Sequence, residues 1–189
     1  MKPQSRCVAS NIVQVQRREK PMSIRTKAMI AAIAIVSFIA ASATGQQDFT
    51  FTTSGGQPVT LSSLRGKVAV LLFSGAQDPQ CREGLAALQS LVKRYQGKDV
   101  NIYWVSVNPA SEMTNDQLKS PCGVATAVPI LRDANGAAFK RFSSKTAQLP
   151  TVVVLDRQGN PSGQPRGGFN PNSDFVNDVA STVDGLLGR

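Results

Sequence analysis

The chain has 189 residues, of which 21 are basic and 12 are acidic, and it contains no histidine. The missing histidine excludes Ser-His-Asp and Cys-His catalysis, and the two cysteines that follow residue 45 do not supply the four ligands of a structural zinc site. Most of the basic excess lies in residues 1–45, so the rest shows no basic stripe with interleaved aromatic residues of the kind that predicts nucleic-acid binding.

Residues 1–45 are predicted to be a leader. Arg25 and Lys27 precede an apolar run, Ala28 to Ala43, which ends in small residues, and this is the pattern of a secretory signal peptide within residues 22–45. The run of about 16 residues is shorter than the ~20 that a membrane-spanning helix needs. We therefore expect export to the periplasm or the extracellular space. An uncleaved N-terminal anchor is the alternative, and only in that case do we expect membrane contact.

Residues 46–189 hold 14 basic and 11 acidic residues and are enough for one domain. Val68 to Phe73 is a continuous apolar run, as in a central strand buried on both faces. Asp78 is predicted to cap the next helix, with Pro79 at its first position. The other predicted elements are an opening strand around Phe51, a strand over Val100 to Val107 with Trp104 in the core, a short helix over Thr114 to Ser120, a strand over Val128 to Leu131, a helix over Ala137 to Phe142, a strand over Thr151 to Leu155, an edge strand within Gly163 to Phe169, and a last helix capped by Ser173.

Strands that alternate with helices in this way predict an α/β fold with a central mixed sheet flanked by helices. The turns between these elements carry Arg132 and Arg157, which we interpret as solvated residues. No cofactor motif or metal-ligand spacing stands out, so we expect neither group.

Cys81 and Cys122 are the two cysteines of this domain. If Asp78 is the cap, Cys81 is the third residue of its helix, where the helix dipole favours a thiolate. A buried, unreactive cysteine is the alternative. In an oxidising compartment the two cysteines are a candidate disulfide. A catalytic disulfide, a structural disulfide and two separate thiols all remain open.

Three segments carry a resemblance to a known family. Leu61 to Val68 reads as a Leu-Ser-x-Leu-x-Gly-Lys entry into a strand, Cys81-Arg82-Glu83 follows that strand, and Leu149-Pro150-Thr151 precedes a valine-rich strand. In this order they resemble the thioredoxin-like superfamily. The redoxin group of that superfamily spans TlpA/ResA-type thiol-disulfide oxidoreductases and AhpC/TSA peroxiredoxins. The resemblance covers about Phe49 to Leu187 and implies a thioredoxin-like fold.

The resemblance also implies site residues. Cys81 and Cys122 would be the catalytic cysteines. Asp78, Pro79, Leu149 and Pro150 would form the substrate groove, with Pro150 in a cis peptide bond. The motif is degenerate, because Asp78 stands where the first cysteine of a Cys-x-x-Cys pair belongs, and this excludes vicinal dithiol chemistry. Aligned with peroxiredoxins, Cys81 takes the peroxidatic position and Cys122 the resolving one.

The leading hypothesis is therefore an exported, divergent thiol-disulfide oxidoreductase that uses Cys81 and, in one version, Cys122. The first alternative is a peroxiredoxin-like peroxidase with Cys81 peroxidatic and Cys122 resolving. The second is a redox-silent binding module that uses the groove near Pro150. The expected partners are protein thiols and disulfides, or peroxide, and not nucleic acid. The sequence does not indicate an oligomeric state.

Overall fold

The structure is a computed structural model that describes residues 48–75, 77–143, 148–167 and 174–188. Its centre is one seven-stranded mixed sheet. The strands in chain order are β1 (Thr50–Thr53), β2 (Pro58–Thr60), β3 (Val68–Ser74), β4 (Val100–Ser106), β5 (Ile130–Arg132), β6 (Thr151–Leu155) and β7 (Arg166–Gly167). In space they run β2-β1-β5-β4-β3-β6-β7. This is the α/β class with a central mixed sheet that the sequence predicts.

Strands β3, β4 and β5 are parallel, so their carboxyl ends meet at one edge of the sheet. Strand β6 runs antiparallel to β3, with Phe73 opposite Thr151, which brings the start of β6 to that same edge. All seven residues of β3 are buried, as its continuous apolar run predicts. Loops that leave this edge hold both cysteines of the domain.

Within the described residues, four α-helices accompany the sheet. They are α1 (Cys81–Arg94), α2 (Asn115–Leu118), α3 (Ala137–Phe142) and α4 (Phe175–Leu187). Helices α1 and α4 pack on one face of the sheet in a core that contains Cys81 and Trp104, and α3 packs on the other face around Phe73 and Phe142. Helix α1 lies close to the sheet at Gly84, where an added Cβ atom would lie 3.0 Å from Leu72 Cδ2, so a larger residue would require the Leu72 side chain to shift.

Polar contacts join the end of α1 to α4, and the residue Asp48 before β1 to Ser62. The Arg94 guanidinium lies 3.0 Å from the Asp184 carboxylate, and the Tyr95 hydroxyl donates to Ala180 O at 3.1 Å, so the end of α1 is tied to α4. Before β1, the Asp48 carboxylate accepts hydrogen bonds from the backbone N–H and hydroxyl of Ser62. These bonds stabilise the charged carboxylate and lower the pKa of Asp48.

Several predicted bounds shift by one or two residues. The short helix predicted over Thr114 to Ser120 is observed as α2, Asn115–Leu118. It starts with a capping box in which Thr114 and Gln117 exchange hydrogen bonds. The predicted edge strand is Arg166–Gly167 within the described part of that segment. The predicted cap Ser173 and the whole leader, residues 1–45, lie outside the described residues. Within the described ranges, no helix is long and apolar enough to cross a membrane.

Candidate functional site

Cys81 and Cys122 form a disulfide at the carboxyl edge of the sheet, with their Cα atoms 5.7 Å apart. Cys81 is the first residue of α1 and is 3 % exposed. Cys122 lies in a short 3-10 turn, Pro121–Gly123, and is only partly buried against the core. The two sulfurs are therefore unequal in their access to solvent.

The start of α1 differs from the prediction. Asp78 does not cap the helix and Cys81 is not its third residue, because α1 begins at Cys81 with Gln80 as its N-cap. The Cys81 N–H donates to Asp78 O at 3.0 Å, and the Gln80 N–H donates to the Asp78 carboxylate at 2.9 Å. Asp78 thus stabilises a separate turn ahead of the helix, since its side chain bonds two residues on rather than three.

The Cys122 turn has an unusual backbone. Cys122 has a φ of 58°, and within the described ranges no other non-glycine residue has a positive φ. Gly123 follows with a φ of 69°. The Arg82 guanidinium, on the first turn of α1, donates from Nε to Cys122 O at 3.1 Å. Because left-handed backbone is unfavourable for a residue with a Cβ atom, the disulfide and this hydrogen bond are what hold Cys122 in place.

Arg132 corrects a second expectation. It is 2 % exposed and not a solvated turn residue. Its guanidinium donates to Asn108 O at 2.8 Å, Met113 O at 2.6 Å and Asn115 Oδ1 at 3.3 Å. The first two acceptors belong to the connection between β4 and α2 and the third to the first residue of α2, and this segment leads to Cys122. Arg132 therefore fixes the path of the segment that carries the second cysteine. Arg157 is exposed, as expected.

An open groove of about 510 Å³ borders the disulfide on the Cys122 side. Its lining is about half polar and half apolar and consists of Gln77, Glu112, Met113, Gln117, Ser120, Cys122 and Gly123. Cys81 is absent from the lining. A further groove of about 400 Å³ lies at the other end of α1, around Tyr95 and Gly97, and contains neither cysteine. We assign the candidate site to the groove of about 510 Å³, because Cys122 lines it.

The loop before β6 has the predicted cis peptide bond between Leu149 and Pro150. The Thr151 hydroxyl donates to Gln148 O at 2.6 Å, which closes the loop on itself. Thr151 pairs with Phe73 in the sheet, so Pro150 lies at the edge from which the Asp78 turn leaves. Of the predicted groove residues, Asp78 and Pro79 form the turn before Cys81, while Leu149 and Pro150 form this neighbouring loop.

The sequence profile of the AhpC/TSA family matches residues 44–160. The chain belongs to the AhpC/TSA family. It is a thioredoxin-like redoxin, as its motifs predict. A search of functionally curated proteins found no significant match to this redoxin.

Solved structures show the same fold at low sequence identity. One is a protein of Chlorobium tepidum provisionally assigned as the thiol:disulfide interchange protein DsbE, with 22% identity and a TM-score of 0.62, covering 75% of the redoxin and 94% of that chain. Another is the pneumococcal exposed lipoprotein thioredoxin Etrx1 of Streptococcus pneumoniae, with 19% identity and a TM-score of 0.59. The match covers 73% of the redoxin and 98% of that chain. These likenesses establish the thioredoxin-like fold.

The Asp78 turn provides a test of how the redoxin pairs its thiols. A backbone hydrogen bond from the Cys81 N–H to Asp78 O closes a turn over residues 78–81. The Cα atoms of residues 78 and 81 are therefore less than about 7 Å apart, which is within reach of a disulfide. In an Asp78→Cys variant, we expect residue 78 to compete with Cys122 for Cys81. Cys122 would then become alkylated in part of the oxidised protein, which tryptic mapping detects in the fragment Ser120–Arg132.

A Ser181→Cys variant is the control, since its thiol lies at an exposed position of α4 outside that turn and Cys122 should stay protected. Full protection of Cys122 in the Asp78→Cys variant would contradict the expected competition.

Proposed function

We propose that the redoxin is a thiol-disulfide oxidoreductase whose redox group is the Cys81–Cys122 disulfide. The observation that carries this proposal is that Cys122, a partly exposed residue bonded through its sulfur to the first residue of α1, lines an open groove. A disulfide that only stabilises a fold has no need of a groove beside it. The Chlorobium tepidum protein of the same fold, provisionally assigned to thiol:disulfide interchange, supports the same class.

Reduction would give two thiols in different surroundings. Cys81 would sit at the start of α1, where the positive end of the helix dipole favours a thiolate, and Cys122 would sit in the groove. The pair could then pass two electrons to a substrate disulfide, or take two from a substrate dithiol, by thiol-disulfide exchange. Protein thiols and disulfides are the proposed substrates.

The test is catalysed reduction of insulin by dithiothreitol, followed as turbidity. We expect the full-length protein to accelerate the reaction, and Cys81→Ser and Cys122→Ser each to lower the catalysed rate by about a hundredfold or more, because neither thiol can complete the cycle alone. Cys7→Ser is the matched control and should leave the rate unchanged. Full activity in both site variants would refute the proposal.

Membership of the AhpC/TSA family favours a second candidate, a thiol peroxidase with Cys81 as the peroxidatic residue and Cys122 as the resolving one. In this reaction a Cys81 thiolate would attack the peroxide oxygen, and the resulting sulfenic acid would condense with Cys122 to give the disulfide and water. Peroxide consumption by the reduced protein, lost in Cys81→Ser, would support it. Inactivity in both the insulin and the peroxide assays would leave the redox-silent binding module.

We also propose export, with residues 1–45 as the leader and 46–189 as the exported domain. The basic start and apolar run of the leader support this, as does the likeness of fold to the pneumococcal exposed lipoprotein thioredoxin. Fused to alkaline phosphatase in a bacterial host, residues 1–45 should give periplasmic activity, and Ile35→Lys in the apolar run should abolish it. Equal cytoplasmic retention of both fusions would contradict export.

A further inference from the structure

We propose that Cys122, and not Cys81, is the sulfur that exchanges with substrate, and that the groove beside it receives a cysteine-bearing polypeptide segment. This inference rests on the proposed oxidoreductase function and assigns the two cysteines their separate roles. It starts from the difference in burial, because Cys81 is 3 % exposed inside the α1 core whereas Cys122 lines the groove.

Displacement at a disulfide requires the attacking thiolate to approach along the sulfur–sulfur axis, behind the sulfur that it attacks. Cys81 is 3 % exposed and belongs to the same buried core cluster as Leu85 and Trp104, so an attacking thiolate has little access to its sulfur. Cys122 is partly exposed and lines the open groove. Only attack at Cys122 therefore proceeds without opening the core.

The leaving group favours the same sulfur. Attack at Cys122 expels the Cys81 thiolate, which lies at the first residue of α1, a 14-residue helix. A helix N-terminus lowers the pKa of a thiol, and a thiol of lower pKa leaves faster. Attack at Cys81 would instead expel a thiolate in the Cys122 turn, which is a three-residue 3-10 turn without such a dipole.

The groove indicates the class of substrate. At about 510 Å³ it is far larger than a peroxide molecule needs, since a water molecule occupies about 30 Å³, and it lies in the range of pockets that hold a side chain with its neighbouring peptide groups. Gln77, Gln117 and Ser120 supply amide and hydroxyl groups that can bond a peptide backbone. A cysteine within an extended polypeptide segment fits this lining.

The exchange balances in two steps. In the reductive direction, the Cys122 thiolate attacks a sulfur of the substrate disulfide. A mixed disulfide with Cys122 forms and the first substrate thiolate leaves. The Cys81 thiolate then attacks Cys122 Sγ, the Cys81–Cys122 bond forms, and the second substrate thiolate leaves. The substrate gains two electrons and the redoxin loses two. The oxidative direction is the reverse.

The test maps the mixed disulfide. The oxidised full-length protein is mixed with a reduced peptide that carries one cysteine, quenched in acid after short times and digested with trypsin. Cys81 then lies in the fragment Val68–Arg82 and Cys122 in Ser120–Arg132. We expect at least about tenfold more peptide on Ser120–Arg132 than on Val68–Arg82, because only one sulfur is accessible.

Two variants test the same role assignment with the remaining cysteine present as a free thiol. With the same peptide activated by 5-thio-2-nitrobenzoate, Cys81→Ser should react at least about tenfold faster than Cys122→Ser. Equal labelling, or labelling mainly on Cys81, would overturn the role assignment while leaving an active wild type as an oxidoreductase. Absence of both peptide adducts and insulin reduction in the wild type would overturn the proposed function, and this inference with it.

The groove is tested by filling it. Ser120→Trp should slow the reaction of the disulfide with the peptide by about tenfold, equivalent to about 1.4 kcal/mol, and slow its reduction by the smaller reagent dithiothreitol by a lesser factor. Ser181→Trp is the matched control, at an exposed position of α4 away from the groove, and should change neither rate. An equal loss with both reagents, or no loss with the peptide, would show that the groove does not hold the substrate segment.

Discussion

Reduction of the Cys81–Cys122 disulfide is expected to lower the free energy of unfolding by about 4 kcal/mol. The bond joins residues 41 positions apart. By the chain-entropy relation, closing a loop of that length removes this much conformational freedom from the unfolded chain. The bond also fixes Cys122 in left-handed backbone and links the start of α1 to the connection that follows α2. Reduction should therefore loosen the Cys122 turn most.

Urea unfolding of the oxidised and reduced protein measures this difference, with fluorescence from Trp104, the single tryptophan of the sequence, as the signal. A Cys81→Ser, Cys122→Ser double variant is the control, because the reductant should not change its midpoint. If reduction of the wild type changed the free energy of unfolding by less than about 1 kcal/mol, the loop would not be ordered by the bond in the way described.

An Arg132→Met variant is expected to be less stable by about 3 kcal/mol. Arg132 is buried, and its charged donors satisfy two backbone carbonyls of the connection between β4 and α2 and the side-chain oxygen of Asn115 at the start of α2. Methionine can fill much of the space but donates no hydrogen bond, so buried acceptors lose their partners. Of these, Met113 also lines the groove, so the groove wall should become less ordered.

Urea unfolding again provides the measurement. Arg141→Met is the matched control, since Arg141 is exposed on α3, and it should change the free energy of unfolding by no more than about 0.5 kcal/mol. If the two variants were equally stable, the hydrogen bonds of Arg132 would not be holding the connection that leads to Cys122.

Much of the fold could be predicted from local patterns. The apolar run of β3 indicated a doubly buried strand, and all seven of its residues are buried. The order of the three motifs indicated the thioredoxin-like sheet, in which α1 follows β3 and the cis Pro150 loop reaches the same edge. These features depend on residues close in sequence or on a family pattern, so they could be predicted from the sequence.

The candidate site was harder to predict from the sequence, because it depends on contacts between segments that are distant along the chain. The sequence left open a catalytic disulfide, a structural disulfide and two separate thiols, since the Cα separation of Cys81 and Cys122 is set by the path of the chain between β4 and β5. Arg132 was misassigned for the same reason: its burial follows from acceptors 17 to 24 residues away. The start of α1 was misplaced because the Asp78 side chain bonds Gln80 within its own turn.

One measurement tests the central claim, that Cys81–Cys122 is a redox group and not a structural bond. The folded protein is equilibrated in thiol-disulfide buffers of graded potential, alkylated, and digested so that the two cysteine fragments are read separately. We expect both cysteines to become alkylated together in one reversible two-electron transition, at a potential above about −300 mV, while the protein stays folded. Protection of both cysteines at that potential until denaturant is added would contradict the claim, because it is the behaviour of a structural disulfide.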